Sequence, residues 1–102
     1  MHQLVIQFDG DSMSDYDSLI ELETELIRLL GDSSEVDGHD IGTGEANIFI
    51  LTAHPAATFN LVKDALARRL ILDKVIAAHR LLTGEDYAVL WPPDFKGTFT
   101  VA

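Results

Sequence analysis

The chain has 102 residues, 47% of them hydrophobic and 24% charged, which is long enough for one compact core and too short for two ordinary domains. Cysteine is absent, so disulfide frameworks, thiolate metal centres and thiol nucleophiles are excluded. The formal charge of −10 is lopsided, with twelve acids against Arg28 alone in residues 1–45 and five acids against six bases in residues 46–102; such a surface repels phosphate backbones and anionic lipid heads, which speaks against nucleic-acid or membrane-surface binding.

The first residues, MHQLVIQFDGD, place a short apolar run before acids. They lack the basic start and the apolar segment of roughly 7–15 residues that a secretory signal needs. No stretch approaches the roughly 18 apolar residues of a membrane span, so a cytoplasmic protein is expected. Leu4 to Phe8 reads as a strand, with Leu4, Ile6 and Phe8 on one face, ending at the turn formers Asp9, Gly10 and Asp11. A helix follows: Ser12 or Ser14 can cap it, Asp15 and Asp17 suit its first turn, and Gly31 follows its last apolar pair. Between these ends Tyr16, Leu19, Ile20, Leu26, Ile27 and Leu30 recur at helical spacing.

Residues 35–41 and 46–53 flank a glycine-rich connection at 42–44 and read as a hairpin, the second arm being apolar enough for a buried strand. His54 and Pro55 open a second helix with Phe59, Val62, Leu66 and Leu70 on its inner face. Residues 71–83, ILDKVIAAHRLLT, fit either a strand at 75–80, the reading favoured by Val75 and Ile76, or a continued helix. Tyr87 to Trp91 is a strand stopped by Pro92 and Pro93, and the tail at 94–102 is expected to be coil lying along the domain. The order βαββα followed by one or two strands predicts a single α+β domain over 1–102. Its architecture would be a ferredoxin-like sandwich: an antiparallel sheet with both helices on one face.

Two segments invite a functional reading. Residues 37–47, DGHDIGTGEAN, hold Asp37, His39, Asp40 and Glu45 among three glycines. A metal is not expected here, because adjacent strand residues point to opposite faces and only one imidazole is present. If the segment carries chemistry, His39 with Asp37 or Glu45 is the acid–base set. The carboxylates of residues 9–15 suit helix capping rather than calcium, since an EF-hand loop begun at Asp9 would meet Met13, Ser14 and Ile20 where oxygen ligands or glycine are required. No metal or cofactor is called for, and no HExxH, GxSxG, GxGxxG or Walker pattern occurs.

Glu23 is the least expected residue, falling at about 340° on a helical wheel with Tyr16 at zero, between Leu30 and Ile27. A carboxylate in an apolar stripe must find a donor, become neutral or reach past its neighbours to solvent, and the expected reading is a structural ion pair with an arginine such as Arg69 on the second helix. Glu23, His39 and His79 are the candidate proton carriers for catalysis.

The run VDGHDIGTGEANIFILTAHP, followed by an amphipathic helix and VLWPP, resembles segments of small bacterial proteins of unassigned function with an expected ferredoxin-like fold. The resemblance spans residues 36–93, implies fold alone and brings no catalytic residue to this chain. Small ferredoxin-like domains serve many roles, so function has to come from the surface. The favoured reading is a small acidic protein-binding module, such as an immunity-type protein, that contacts a basic partner through Asp9, Asp11, Asp15, Asp17, Asp37, Asp40 and Glu45. The alternative is a small cofactor-independent enzyme or ligand-binding domain using the cleft between helices and sheet. A homodimer is expected through the sheet face away from the helices, with Val5, Phe49 and Leu51 at its interface and Phe95, Phe99 and Val101 of the tail as the competing cover.

Overall fold

The alternation of apolar residues predicted for the first strand and the hairpin is realised in a sheet whose two faces are both buried, one by helices and the other by the tail. The structure, a computed structural model, describes residues 1–9, 16–42 and 44–101. In chain order the elements are β1 (His2–Asp9), α1 (Tyr16–Leu30), β2 (Glu35–Gly42), β3 (Glu45–Thr52), α2 (Pro55–Arg68), a 3-10 turn (Leu72–Lys74), β4 (Val75–Leu81) and β5 (Ala88–Trp91). The strands form one antiparallel sheet in the order β2-β3-β1-β4-β5. The fold is thus α+β with a five-stranded antiparallel sheet and two helices. Within the ambiguous segment 71–83, the helix has already ended and Val75–Leu81 is strand.

On the helix side, Leu4, Ile6 and Phe8 of β1, Ala46, Ile48 and Ile50 of β3 and Val75 and Ala77 of β4 meet Leu19, Leu22, Leu26 and Leu30 of α1 and Phe59, Val62, Ala65 and Leu66 of α2. This face of α1 differs from the expected one. Leu22 is fully buried and Ile27 exposed, so the buried stripe is rotated by about 60° from the predicted centre, towards the leucines. The apolar residues of α1 cover nearly half its circumference, and a flat sheet can bury only the middle of so wide an arc.

Both helices end in a left-handed residue. Gly31, at φ 55°, closes α1 while its N–H still reaches the Ile27 carbonyl at 3.1 Å. At the end of α2 the N–H groups of Leu70 and Ile71 return to the carbonyls of Ala67 (3.0 Å) and Leu66 (3.1 Å), the paired bonds of a Schellman ending. Here the left-handed position belongs to Leu70, at φ 61° and 81% exposed. Leu70 therefore does not extend the inner face of α2, because the chain reverses before it. The expected caps Ser12 and Ser14 lie outside the described residues.

The opposite face of the sheet is covered from within the chain. Val5, Ala78 and Phe99 form a second buried cluster with Phe49, Ile76, Tyr87, Val89, Phe95 and Val101 packed around it. Phe99 meets Tyr87 edge-on at 5.0 Å between ring centroids, and Gln7 Nε2 donates to the Thr100 carbonyl at 2.9 Å. Of the residues expected at a dimer interface, Val5 is wholly buried beneath the tail, Phe49 is partly buried in the same cluster and Leu51 is partly buried. Apolar alternation shows that this face must be covered, but does not choose between the two covers. Among the described residues no helix is long and apolar enough to cross a membrane.

Candidate functional site

β2 is an edge strand with a β-bulge between Val36 and Gly38. Gly38 takes φ 132° there, a conformation that disfavours any residue bearing a Cβ. The bulge resets the alternation: Val36 pairs with Ile50 and His39 with Ile48, so both face the helices. Asp37 falls in the bulge itself, between Val36 and Gly38. An isolated glycine inside a strand pattern is the sequence signal that would have found it.

His39 is thereby turned towards α1, where its Nδ1 donates to Glu23 Oε2 at 3.0 Å, with 23% and 15% of the two side chains exposed. Glu23 sits on the flank of the rotated helix rather than at the centre of its buried face. Arg69 pairs instead with Glu25 on the opposite flank, Nη2 to Oε1 at 2.6 Å, with Arg68 Nη2 at 3.8 Å from the other oxygen. His79 lies elsewhere. It is on β4, with β1 and β3 between it and β2, a separation of about 14 Å at ordinary strand spacing. Its Nδ1 is 3.3 Å from Nδ1 of His2. Burial, and then the neighbouring charge of His2, hold its pKa below the usual histidine value.

Three acids of the N-terminal half, Asp9, Asp40 and Glu45, come together on the tail-side face at one corner of the sheet. Asp40 is level with Asn47, which is level with Gln7, and the next row joins Gly42, Glu45 and Asp9. Glu45 Oε2 accepts from Gln7 Nε2 at 3.1 Å and from Asn47 Nδ2 at 3.0 Å, while Asn47 Oδ1 accepts from Gln7 at 3.2 Å. This network satisfies Asn47, which is fully buried. It holds one carboxylate in place while Asp9 and Asp40 remain exposed. Beside the corner an open depression of about 730 Å³ is lined by Asp9, Glu45 and Asp73 together with Lys74, Pro92 and Phe95. Asp17 is in the first turn of α1, while Asp11 and Asp15 lie outside the described residues.

No family model matches this chain, and no characterised protein or solved structure is significantly similar to it. The site is therefore read from its chemistry. Among the described residues no group of three or more His, Asp or Glu side chains is placed to hold a metal ion. The site instead combines a fixed carboxylate–imidazole pair on the helix side with exposed acids along an edge strand. Sequence reasoning named Glu23 and His39 separately. It missed their contact, which depends on the bulge in β2, and it missed the Gln7–Glu45–Asn47 network, which depends on the register of β1 against β3.

Proposed function

We propose that the protein is a small acidic protein-binding module, of the kind exemplified by immunity proteins, that contacts a basic partner through its acidic N-terminal half. The observation that carries this reading is the one-signed presentation of charge: β1, β2 and β3 lie side by side, contain no Lys or Arg, and expose Glu35, Asp37, Asp40 and Asp9 at one edge and corner. A patch of one sign steers an oppositely charged partner and rejects like-charged ones. The fold is read as a ferredoxin-like sandwich with a fifth strand added; support comes from the βαββαβ order of the first six main elements and from the position of β1 between β3 and β4.

The Glu23–His39 pair favours a second reading, a cofactor-independent enzyme or ligand-binding domain, because a carboxylate that orients an imidazole is a common acid–base arrangement. Against it, the space between helices and sheet is filled by fully buried side chains, among them Leu4, Ile6, Leu22 and Leu66. A homodimer through the tail-side sheet face would require the tail to lift from Val5, so the module is read as acting through its acidic edge as a single copy.

The reading is tested by affinity capture from the native host. Immobilised wild type is compared with a chain carrying Asp37→Asn, Asp40→Asn and Glu35→Gln. The expected partner is basic, is released as salt rises from about 0.1 to 0.5 M, and is lost from the neutralised chain. An acidic partner, or one held equally by both chains, would overturn the reading.

A further inference from the structure

At the end of the sheet where β1 and β2 begin, the end of α1, the turn that follows it and the last residues of β3 enclose an open groove of about 530 Å³. Its apolar wall is Ile27, Val36 and Leu51, and Asp32 and Glu35 stand among them. Ile27 is 53% exposed, so the groove offers apolar surface to an occupant.

Hydroxyl groups behind the wall fix its shape. Ser34 Oγ lies 3.1 Å from Thr58 Oγ1, Thr58 Oγ1 lies 2.7 Å from Thr52 Oγ1, and Thr52 Oγ1 accepts from the His54 N–H at 3.0 Å. Thr52 and Thr58 are buried, so this chain ties the α1–β2 turn to the end of β3 and the first turn of α2. Ser33 Oγ donates to the Leu30 carbonyl at 2.6 Å. The hydroxyls are thus engaged within the protein, whereas the carboxylates are not. Among the described residues neither Asp32 nor Glu35 makes an ion pair or a side-chain hydrogen bond. No Lys or Arg lines the groove.

Apolar surface beside unpaired carboxylates suits a long cationic side chain, which lays its aliphatic stem on the one and its charged end on the other. Arginine fits two neighbouring carboxylates better than lysine, because its planar fork offers several donors and is more weakly hydrated. A wholly apolar occupant would desolvate the carboxylates without pairing them. A second copy of this chain brings a further charge of −10, which opposes it.

We propose that this groove is the anchor site for an arginine side chain of the basic partner, with its stem on Ile27, Val36 and Leu51 and its guanidinium on Asp32 and Glu35. This rests on the acidic-module reading and gives it a point of selectivity. The exposed acids elsewhere steer the partner, while a braced groove picks out one side chain, as arginine anchors do at interface hot spots.

The test titrates ¹⁵N-labelled protein with the blocked tripeptide Val-Arg-Val and follows amide chemical shifts. The same titration with citrulline in place of arginine keeps nearly the same shape and removes the charge. The arginine peptide is expected to shift the amides of Ile27 and of residues 31–36 and 51–53, with a Kd of about 1 mM or below. The citrulline peptide should bind at least about tenfold more weakly. Ile27→Ser, and separately Asp32→Asn with Glu35→Gln, should each weaken the arginine peptide at least about fivefold. All three side chains are exposed, and unchanged shifts elsewhere show that each variant is folded. Ile27→Ser leaves the charge untouched, so its effect separates the groove from charge alone. Equal binding of both peptides, or shifts spread over Asp9, Asp37 and Asp40 and lost uniformly as salt rises, would overturn the anchor site while leaving the acidic-module reading standing. Absence of shifts up to about 10 mM peptide would also overturn it, and host capture would then judge the module reading independently.

Discussion

Replacing Phe99 with Ala removes the centre of the tail's grip on the sheet. Phe99 is only 8% exposed and packs with Val5 and Ala78 while meeting Tyr87 edge-on at 5.0 Å. Returning a buried Phe side chain to water costs about 1.5–3 kcal/mol, and loss of an edge-to-face aromatic pair adds about 0.5–1.5 kcal/mol. Near the end of the described chain the backbone can shift to fill part of the gap, so the loss should stay below the upper end of the roughly 3–5 kcal/mol typical of an enclosed Phe→Ala change. A destabilisation of about 2–4 kcal/mol follows, a large part of the roughly 5–15 kcal/mol of an ordinary domain, and it lowers Tm by at least about 10 °C. Urea denaturation followed by the fluorescence of Trp91 measures it, since that ring is partly buried with Phe59 beside it and Lys63 above it. A variant within about 0.5 kcal/mol of wild type would refute the conclusion that the tail covers this face.

Removing residues 95–102 should uncover Val5, Ile76, Ala78 and Val89 and drive association visible in light scattering; a stable, monomeric truncated chain would count against the tail as cover. Glu23→Gln should cost less than about 1 kcal/mol, because the amide oxygen can still accept from His39, whereas Glu23→Ala should cost about 1–2 kcal/mol, as read from denaturant midpoints. Leu70→Gly should stabilise the chain by up to about 1 kcal/mol, since glycine relieves the left-handed strain at φ 61° at some entropic cost. His79 is held below its unfolded pKa of 6.5, so its folded form resists protonation. Stability is full above that value and falls as pH drops from 6.5 through the lower folded-state pKa. His79→Gln should flatten that acid limb in a pH series of thermal melts.

Much of the backbone plan was legible because alternation and punctuation agree. Leu4, Ile6 and Phe8 mark one strand face, Pro55 opens α2, and Gly31 closes α1. The strand at Val75 was legible from β-branched residues even beside alanines and leucines that favour a helix. What could not be read was phase. The apolar arc of α1 is wide enough for either its leucine or its isoleucine side to face the sheet, and the choice moved Glu23 from the core to the flank and gave Arg69 to Glu25. Gly38 likewise shifts the strand by one residue, and a one-residue slip turns side chains to the other face. The Glu23–His39 contact depends on both shifts, so the two residues could be suspected singly but not paired. The acidity of the site was plain from composition, while its collection along one edge and corner required the strand order.

The most direct test of the central claim reverses the charge of the edge. In a chain carrying Asp37→Lys and Asp40→Lys, both on exposed positions of β2, affinity for a blocked lysine-rich peptide is measured by calorimetry in low and moderate salt, with circular dichroism confirming an unchanged fold. The account predicts that wild type binds with an affinity that falls as salt rises, and that the reversed chain loses at least about tenfold. Equal binding by both folded chains would contradict it.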